Sequence, residues 1–248
     1  HVRLEISLQR QQELVTAYRR FVPMEFLECL QKSNITAVTL GDNIATTMSV
    51  MFCDIRNFTS LSETMTPEEN FNFINSYLGR VSPIVKAHGG FIDKYMGDAF
   101  MGLFPGTPDD AVQCAINLHK DLDDYNRQKQ QESPTSHEVA IGIGINTGSI
   151  MLGTVGSEER MEGTVISDAV NLASRVEQLT KSFGHETVIT EHTWEGLDER
   201  LKAHCKPLGK VQAKGRQGIT FIYAVEKMPV QVQDESEQST TSLDSVHS

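Results

Sequence analysis

The sequence predicts an α+β domain built on a mostly antiparallel sheet, with helices packed on one face and a dimer-forming helix in front. Two observations lead there. Short buried apolar runs alternate with amphipathic helical stretches in the order strand, helices, hairpin, helix, strands, helix, strand, helix, strands, which suits a sheet with packed helices. Ahead of them, residues 1–22 repeat apolar positions every seven residues, the spacing of a helix that pairs with another. The 248 residues suffice for one large domain with extensions. At 39% hydrophobic and 22% charged, the composition excludes collagen-like, low-complexity and wholly disordered classes.

The formal charge of -11 speaks against non-specific nucleic-acid binding, because a phosphate backbone is held chiefly by Lys and Arg. An anionic substrate would need metal ions or a local basic cluster. No apolar run approaches the ~18 residues of a membrane span. The chain opens on His1-Val2-Arg3-Leu4-Glu5, without Met or signal segment, and reads as part of a longer chain with something upstream. Four scattered cysteines without a C-x-x-C predict neither a zinc site nor a disulfide framework, and a reducing cytoplasm is expected.

Element by element, Leu8, Val15 and Val22, with Leu4, Gln11 and Tyr18 as the offset series, form a short a/d seam. A parallel dimer stalk and a helix packed on its own domain both fit it. Residues 23–47 read as a connector broken at Pro23 and Gly41. Residues 48–227 form the compact domain. Ser49 to Cys53 is a buried strand ending at Asp54. Thr66-Pro67-Glu68-Glu69 opens a helix with a capping box and Pro in the first position. That helix runs to His88, with a kink expected at Pro83, and stops at Gly89-Gly90. Met96-Gly97-Asp98 is the tip of a tight hairpin within Phe91 to Phe104. Thr107-Pro108 starts a helix reaching about Gln130. Val139 to Ile145 is a strand, with Gly148 to Val155 as its hairpin partner. Asp168 to Phe183 is a helix ending at Gly184, Thr187 to Ile189 a strand, and the stretch from Ala203 to Val225 supplies two more. Residues 228–248 carry no aromatics and read as a disordered acidic, Ser/Thr-rich tail.

Two aspartates carry the chemistry. Asp54 follows a buried strand and Asp98 sits at a hairpin tip. Each alone reads as a helix cap or a turn residue. Adjacent strands can also bring both carboxylates to one sheet edge, where Mg²⁺ or Mn²⁺ takes oxygen ligands plus substrate phosphates. Backbone N–H groups at Phe58 and Thr59, opening a helix, then suit phosphate oxygens.

Three stretches resemble the signatures of class III nucleotidyl cyclases. They are Phe52-Cys53-Asp54-Ile55-Arg56-Asn57-Phe58-Thr59, then Phe91-Ile92-Asp93-Lys94-Tyr95-Met96-Gly97-Asp98-Ala99, then Thr164-Val165-Ile166-Ser167-Asp168-Ala169-Val170-Asn171-Leu172-Ala173-Ser174-Arg175. All three stand in the family's order and spacing. Arg20-Phe21-Val22-Pro23 is also similar to the connector of cyanobacterial multidomain adenylate cyclases. The resemblance implies a ferredoxin-like core working as a homodimer, with active sites at the interface. It implies that a nucleotide's ribose 3′-oxygen attacks its own α-phosphorus and releases pyrophosphate. By position, Asp54, Asp98 and the Ile55 carbonyl would hold two divalent cations.

Lys94 and Thr164 match the positions that select the base. An ammonium offers only donors, which suits adenine N1, and a threonine hydroxyl can accept from the adenine amino group. Guanine would prefer a carboxylate, so ATP is the expected substrate and cyclic AMP the product. Asn171 and Arg175, four apart on one helix face, match the residues that orient the ribose and stabilise charge on the α-phosphoryl group. Lys214 corresponds to a lysine on the terminal phosphates, and Arg160 is a second candidate for that task. Ser167 replaces a glycine often found there. Alternatives are a guanylyl cyclase, which Lys94 opposes; a diguanylate-cyclase-like enzyme, whose Gly-Gly-Asp-Glu-Phe signature is missing; and an inactive regulatory domain, which intact site residues oppose. An upstream sensor is expected to control activity. Thr164 also occurs in a bicarbonate-responsive branch of the family.

Overall fold

The computed structural model describes residues 2–18, 21–133, 138–212 and 219–226. Lys214 and the predicted tail lie outside the described residues. Helix α1 (Val2–Tyr18) and the short helix α2 (Met24–Cys29) precede a 13-residue strand, β1 (Asn43–Ile55). Then follow α3 (Phe58–Ser62), α4 (Pro67–Ala87), the hairpin β2 (Phe91–Met96) and β3 (Ala99–Phe104), and α5 (Pro108–Glu132). The second half comprises β4 (Ile141–Ser157), β5 (Arg160–Ile166), α6 (Asp168–Phe183), β6 (Thr187–Thr190), α7 (Glu191–Glu195), α8 (Glu199–Lys202), β7 (Cys205–Gln212) and β8 (Ile219–Val225). One eight-stranded sheet runs β2-β3-β1-β4-β6-β8-β7, with β5 paired to β4 beside that path. Only β4 and β6 pair in parallel, so the sheet is mostly antiparallel, as expected.

The helix signals operate as predicted. Thr66 Oγ1 accepts from the Glu69 N–H, and the Glu69 carboxylate accepts from the Thr66 N–H, closing the capping box of α4. The helix continues through Pro83. The Asp110 carboxylate accepts from the Thr107 N–H at the start of α5. Ser167 caps α6, accepting from the Ala169 N–H, and Gly184 closes that helix in the left-handed conformation at φ +68. A hydroxyl at residue 167 therefore builds the turn.

Helices cover both faces of the sheet, not one. Met51, Cys53 and Ile55 of β1 join Phe100, Phe104, Ile141, Ile143 and Ile145 against α4 and α5. Met48 and Val50 point the other way, with Leu103, Ile150 and Leu152, toward α2 and α6. A strand buried on both sides reads as the continuous apolar run seen there. The second face was hidden because glycines make it. β4 alternates Ile and Gly, so Ile141, Ile143 and Ile145 fill one core while Gly142 and Gly144 leave the other side flat. A Cβ at Gly144 would stand 2.1 Å from the Glu177 backbone nitrogen, so α6 rests directly on that strand.

The predicted hairpin from Val139 to Val155 is also different. β4 is one strand of 17 residues, paired with all of β1 from Asn43 to Ile55. Asn146-Thr147-Gly148 resembles a turn but stays extended because its polar groups are used inside the fold. The buried Asn146 side chain donates to the Ala169 carbonyl and accepts from the Thr190 hydroxyl. Thr147 Oγ1 lies 2.7 Å from Ser49 Oγ across the strand pair. The true hairpin partner of β4 is β5, which sets Thr164 opposite Gly153.

The stretch 23–47 is structured rather than open. Phe26, Leu27 and Leu30 are buried, and Phe26 packs where a Cβ at Gly163 would otherwise lie. Val15 and Tyr18 are the least exposed positions of α1 between residues 9 and 18. Among the described residues, no helix is long and apolar enough to cross a membrane. Cys53 and Cys114 are buried core residues, and all four cysteines are free.

Candidate active site

Asp54 is the last but one residue of β1, and Asp98 is the second residue of the two-residue turn joining β2 to β3. Gly97 supplies the left-handed backbone that turn requires, at φ +70. β1 and β3 are neighbours, with Cys53 opposite Phe100, so the turn folds against the end of β1. The two carboxyl groups are near enough for Asp54 to act directly on the titration of Asp98. Burial and the adjacent Asp54 carboxylate push the Asp98 carboxyl up to about 6. Tyr77 lies beneath, its hydroxyl 3.4 Å from Cys53 Sγ. Its phenol is pushed upward, first by burial, then by the neighbouring Cys53, and least by the two aspartates.

A second layer surrounds Asp54. Arg56 is threaded between β4 and α6, in the space that Gly142 leaves by lacking a side chain. Its guanidinium donates to Thr180 Oγ1 and to the His185 carbonyl, and Nη1 stands 3.9 Å from Glu177 Oε1. Nη1 and that Glu177 oxygen are buried and make no hydrogen bond. The Glu177 carboxyl is shifted upward, by burial first and then by the Asp54 charge. One turn further along α6, Lys181 Nζ lies 3.5 Å from Asp54 Oδ2.

Lys94 and Thr164 meet, although 70 positions separate them: Nζ donates to Oγ1 at 3.1 Å. The register of β2 against β3 shifts between Ile92 and Lys94, which makes Asp93 the bulged residue. Lys94 Nζ consequently has Asp93 at 3.4 Å and Glu162 at 3.6 Å as well. Burial raises the Asp93 carboxyl, against the opposing pull of Lys94.

Asn171 and Arg175 occupy the N-terminal half of α6. At ~100° per residue they lie on the side opposite the buried stripe of Ala169, Ala173, Val176 and Thr180. Asn171 is ~15 Å along the axis from Lys181, the residue that touches Asp54. On that side of the helix Asn171 is exposed and Arg175 half-buried. Phe58 opens α3 behind a left-handed Asn57 at φ +53, and its ring stacks on Phe73. The first bond of that helix runs from the Leu61 N–H to the Asn57 carbonyl, so the Phe58 and Thr59 N–H groups project from its end. Arg160 is exposed at the β4–β5 turn.

Sequence reasoning brought out Asp54, Asp98, Lys94 and Thr164 but missed Glu177 and Lys181. The signal was their i, i+4 spacing on α6, four residues apart like Asn171 and Arg175. Arg56 stood inside a quoted motif and received no task.

The chain belongs to the adenylate and guanylate cyclase catalytic domain family, whose model matches residues 42–227. It is 37% identical over 227 residues to an adenylate cyclase of Anabaena cylindrica, covering 90% of this chain and 45% of that protein. It thus spans less than half the length of that relative. The adenylyl cyclase CyaB from P. aeruginosa superimposes with a TM-score of 0.66 at 30% identity, covering 76% of this chain and 97% of that one. A guanylyl cyclase crystal structure matches at 0.64 and 29%, covering 77% and 97%.

Proposed function

We propose that this domain is an adenylate cyclase, which converts ATP to 3′,5′-cyclic AMP and pyrophosphate at sites shared between two copies of the chain. The observation that carries the reading is the meeting of Asp54 and Asp98. Two carboxylates brought together from a strand end and a distant turn repel each other unless a proton or a cation joins them. Their oxygens suit Mg²⁺ or Mn²⁺, which is commonly held by one or two carboxylates plus substrate phosphates. Among the described residues no group of three or more His, Cys, Asp or Glu side chains is placed to hold a metal ion. Asp54, Asp98 and the Ile55 carbonyl are the ligands in this reading. Bound divalent cations would acidify the ribose 3′-hydroxyl and neutralise charge on the triphosphate.

The chain's own residues do the rest by position. The 3′-oxygen forms a bond to the α-phosphorus as the bond to pyrophosphate breaks, and such transfers rest on alignment and charge stabilisation. Lys94 and Thr164, held 3.1 Å apart, present a donor to adenine N1 and an acceptor to the amino group. Asn171 orients the ribose. Arg175 places a permanently charged planar fork against the α-phosphoryl oxygens. The Phe58 and Thr59 N–H groups, with Lys214 and Arg160, serve the triphosphate.

One chain carries both aspartates and the Asn171/Arg175 pair, so a two-fold dimer in which each subunit lends that pair to the partner's aspartates would create two equivalent sites. Helix α1 would then form the stalk through which an upstream sensor acts, by rotating one subunit against the other. Bicarbonate is one candidate signal, tested by activity in bicarbonate against chloride at fixed pH.

The test is complementation. Asp54→Ala and Arg175→Ala chains should each be inactive alone, with Arg175→Ala costing on the order of 10²–10³ in turnover. Mixed dimers carry one intact site and should recover activity. No recovery despite demonstrated subunit exchange refutes the shared site. Lys94→Glu should abolish ATP turnover; wild-type kinetics with ATP would refute the base assignment.

A further inference from the structure

Helix α6 serves two directions. Its N-terminal half turns Asn171 and Arg175 outward, while its last turn lays Lys181 against the end of β1 of the same chain, 3.5 Å from Asp54 Oδ2. Three carboxyl groups gather there, those of Asp54, Asp98 and Glu177, with two cations, Arg56 and Lys181. Arg56 is committed: its guanidinium is mostly buried and bound to Thr180, His185 and Glu177. Lys181 is not, since its side chain is 54% exposed and held by one long ion pair.

The helix end does not require this lysine. The Gly184 N–H already caps the Thr180 carbonyl in a left-handed turn. Its amine reaches instead to a strand end 127 positions away in the chain. With a net charge of -11, a tetra-anionic nucleotide must find its cations locally.

We propose that Lys181 binds the terminal phosphates of the nucleotide held over Asp54 and Asp98 of its own chain. The inference rests on the cyclase reading and adds a phosphate contact supplied by the chain that supplies the aspartates. Lys181 is the counter-ion that the structure sets beside Asp54. The ammonium would be repelled by a divalent cation held at Asp54 and drawn to the incoming phosphates. A four-carbon stem with rotatable donors permits that short swing without moving α6. Lys181 thus exchanges a carboxylate partner for a phosphate partner, and its charge stays within the site throughout.

The experiment titrates inorganic pyrophosphate, in saturating Mg²⁺, into the full chain by calorimetry. Wild type, Lys181→Ala and Lys181→Arg are compared, with Mg²⁺ alone and AMP as controls. The alanine variant should bind pyrophosphate roughly 10- to 100-fold more weakly, the scale of a lost hydrogen bond to a charged group. The arginine variant should recover most of that affinity, and AMP, which lacks the terminal phosphates, should bind all three alike. Equal pyrophosphate affinity in wild type and Lys181→Ala overturns the proposal. So does a change confined to Mg²⁺ affinity, which would make Lys181 only a counter-ion of Asp54. Cyclic AMP formation by the wild type is measured in parallel: its absence refutes the cyclase reading, whereas the titration reads Lys181 separately.

Discussion

Replacing Gly144 with alanine tests how the sheet positions the site. The added Cβ would stand 2.1 Å from the Glu177 nitrogen, 2.5 Å from its Cα and 2.7 Å from the Ala173 carbonyl oxygen. All three are backbone atoms, so no rotamer change relieves the overlap. Ordinary carbon contacts lie at roughly 3.5–4.0 Å, so α6 must lift off β4 by about 1.4–1.9 Å. Such overpacking costs about 1–3 kcal/mol. For a chain of this size that is a fall in Tm of roughly 3–10 °C. The catalytic effect should be larger than the thermal one. The same helix carries Asn171, Arg175 and Lys181, and a shift of about 1 Å in positioning groups can cost ~10²-fold in rate. The assay is kcat with ATP and Mn²⁺ well below Tm, beside thermal denaturation. Gly102→Ala is the control: its Cβ would meet only side chains, at 3.4–3.9 Å, and should cost less than about 1 kcal/mol. A Gly144→Ala protein with wild-type Tm and kcat would refute the reasoning.

Two further outcomes follow from the charges around Asp54. The folded-state pKa of Asp98, about 6, lies above the ordinary carboxylate value, so the folded state holds that proton more tightly than the unfolded one. This group therefore lowers metal-free stability as pH rises through 4 to 6, by on the order of 1 kcal/mol after solvent screening, and the penalty persists above pH 6. In chelator at pH 7.5, Asp98→Asn should be at least as stable as wild type although inactive, and the difference should vanish by about pH 4; a less stable variant at pH 7.5 contradicts this. Glu177→Ala leaves the buried Arg56 guanidinium without its carboxylate and should lower stability by about 3 kcal/mol, the low end for a broken buried pair because Thr180 and His185 still bind it. Urea denaturation measures it, and an unchanged midpoint and slope would show that the pair contributes nothing.

Much of the fold is legible locally. The Thr66 capping box, the Gly97 turn and the Gly184 stop each depend on a few adjacent residues, and the structure shows all three. The reading of Val139–Ile145 and Gly148–Val155 as a hairpin, which places a turn at Asn146-Thr147, went astray for a physical reason. Those residue types do favour turns, but a 13-residue β1 offers a continuous ladder, and Asn146 finds its partners in Ala169 and Thr190. Likewise the Ile/Gly alternation of β4 suggested a strand but not a helix lying on its glycine face.

The sequence by itself determined which groups the chain can offer: two hard-oxygen carboxylates, a lysine, a threonine and a permanently charged arginine on a helix. Residue type and near-neighbour spacing carry that information. Only the tertiary structure decided which of these groups meet. It brought Asp54 to Asp98 and Lys94 to Thr164, and set Arg56, Glu177 and Lys181 around Asp54. Those relations depend on strand order and on the seating of α6 over Gly142 and Gly144, which are set by packing between segments far apart in the chain.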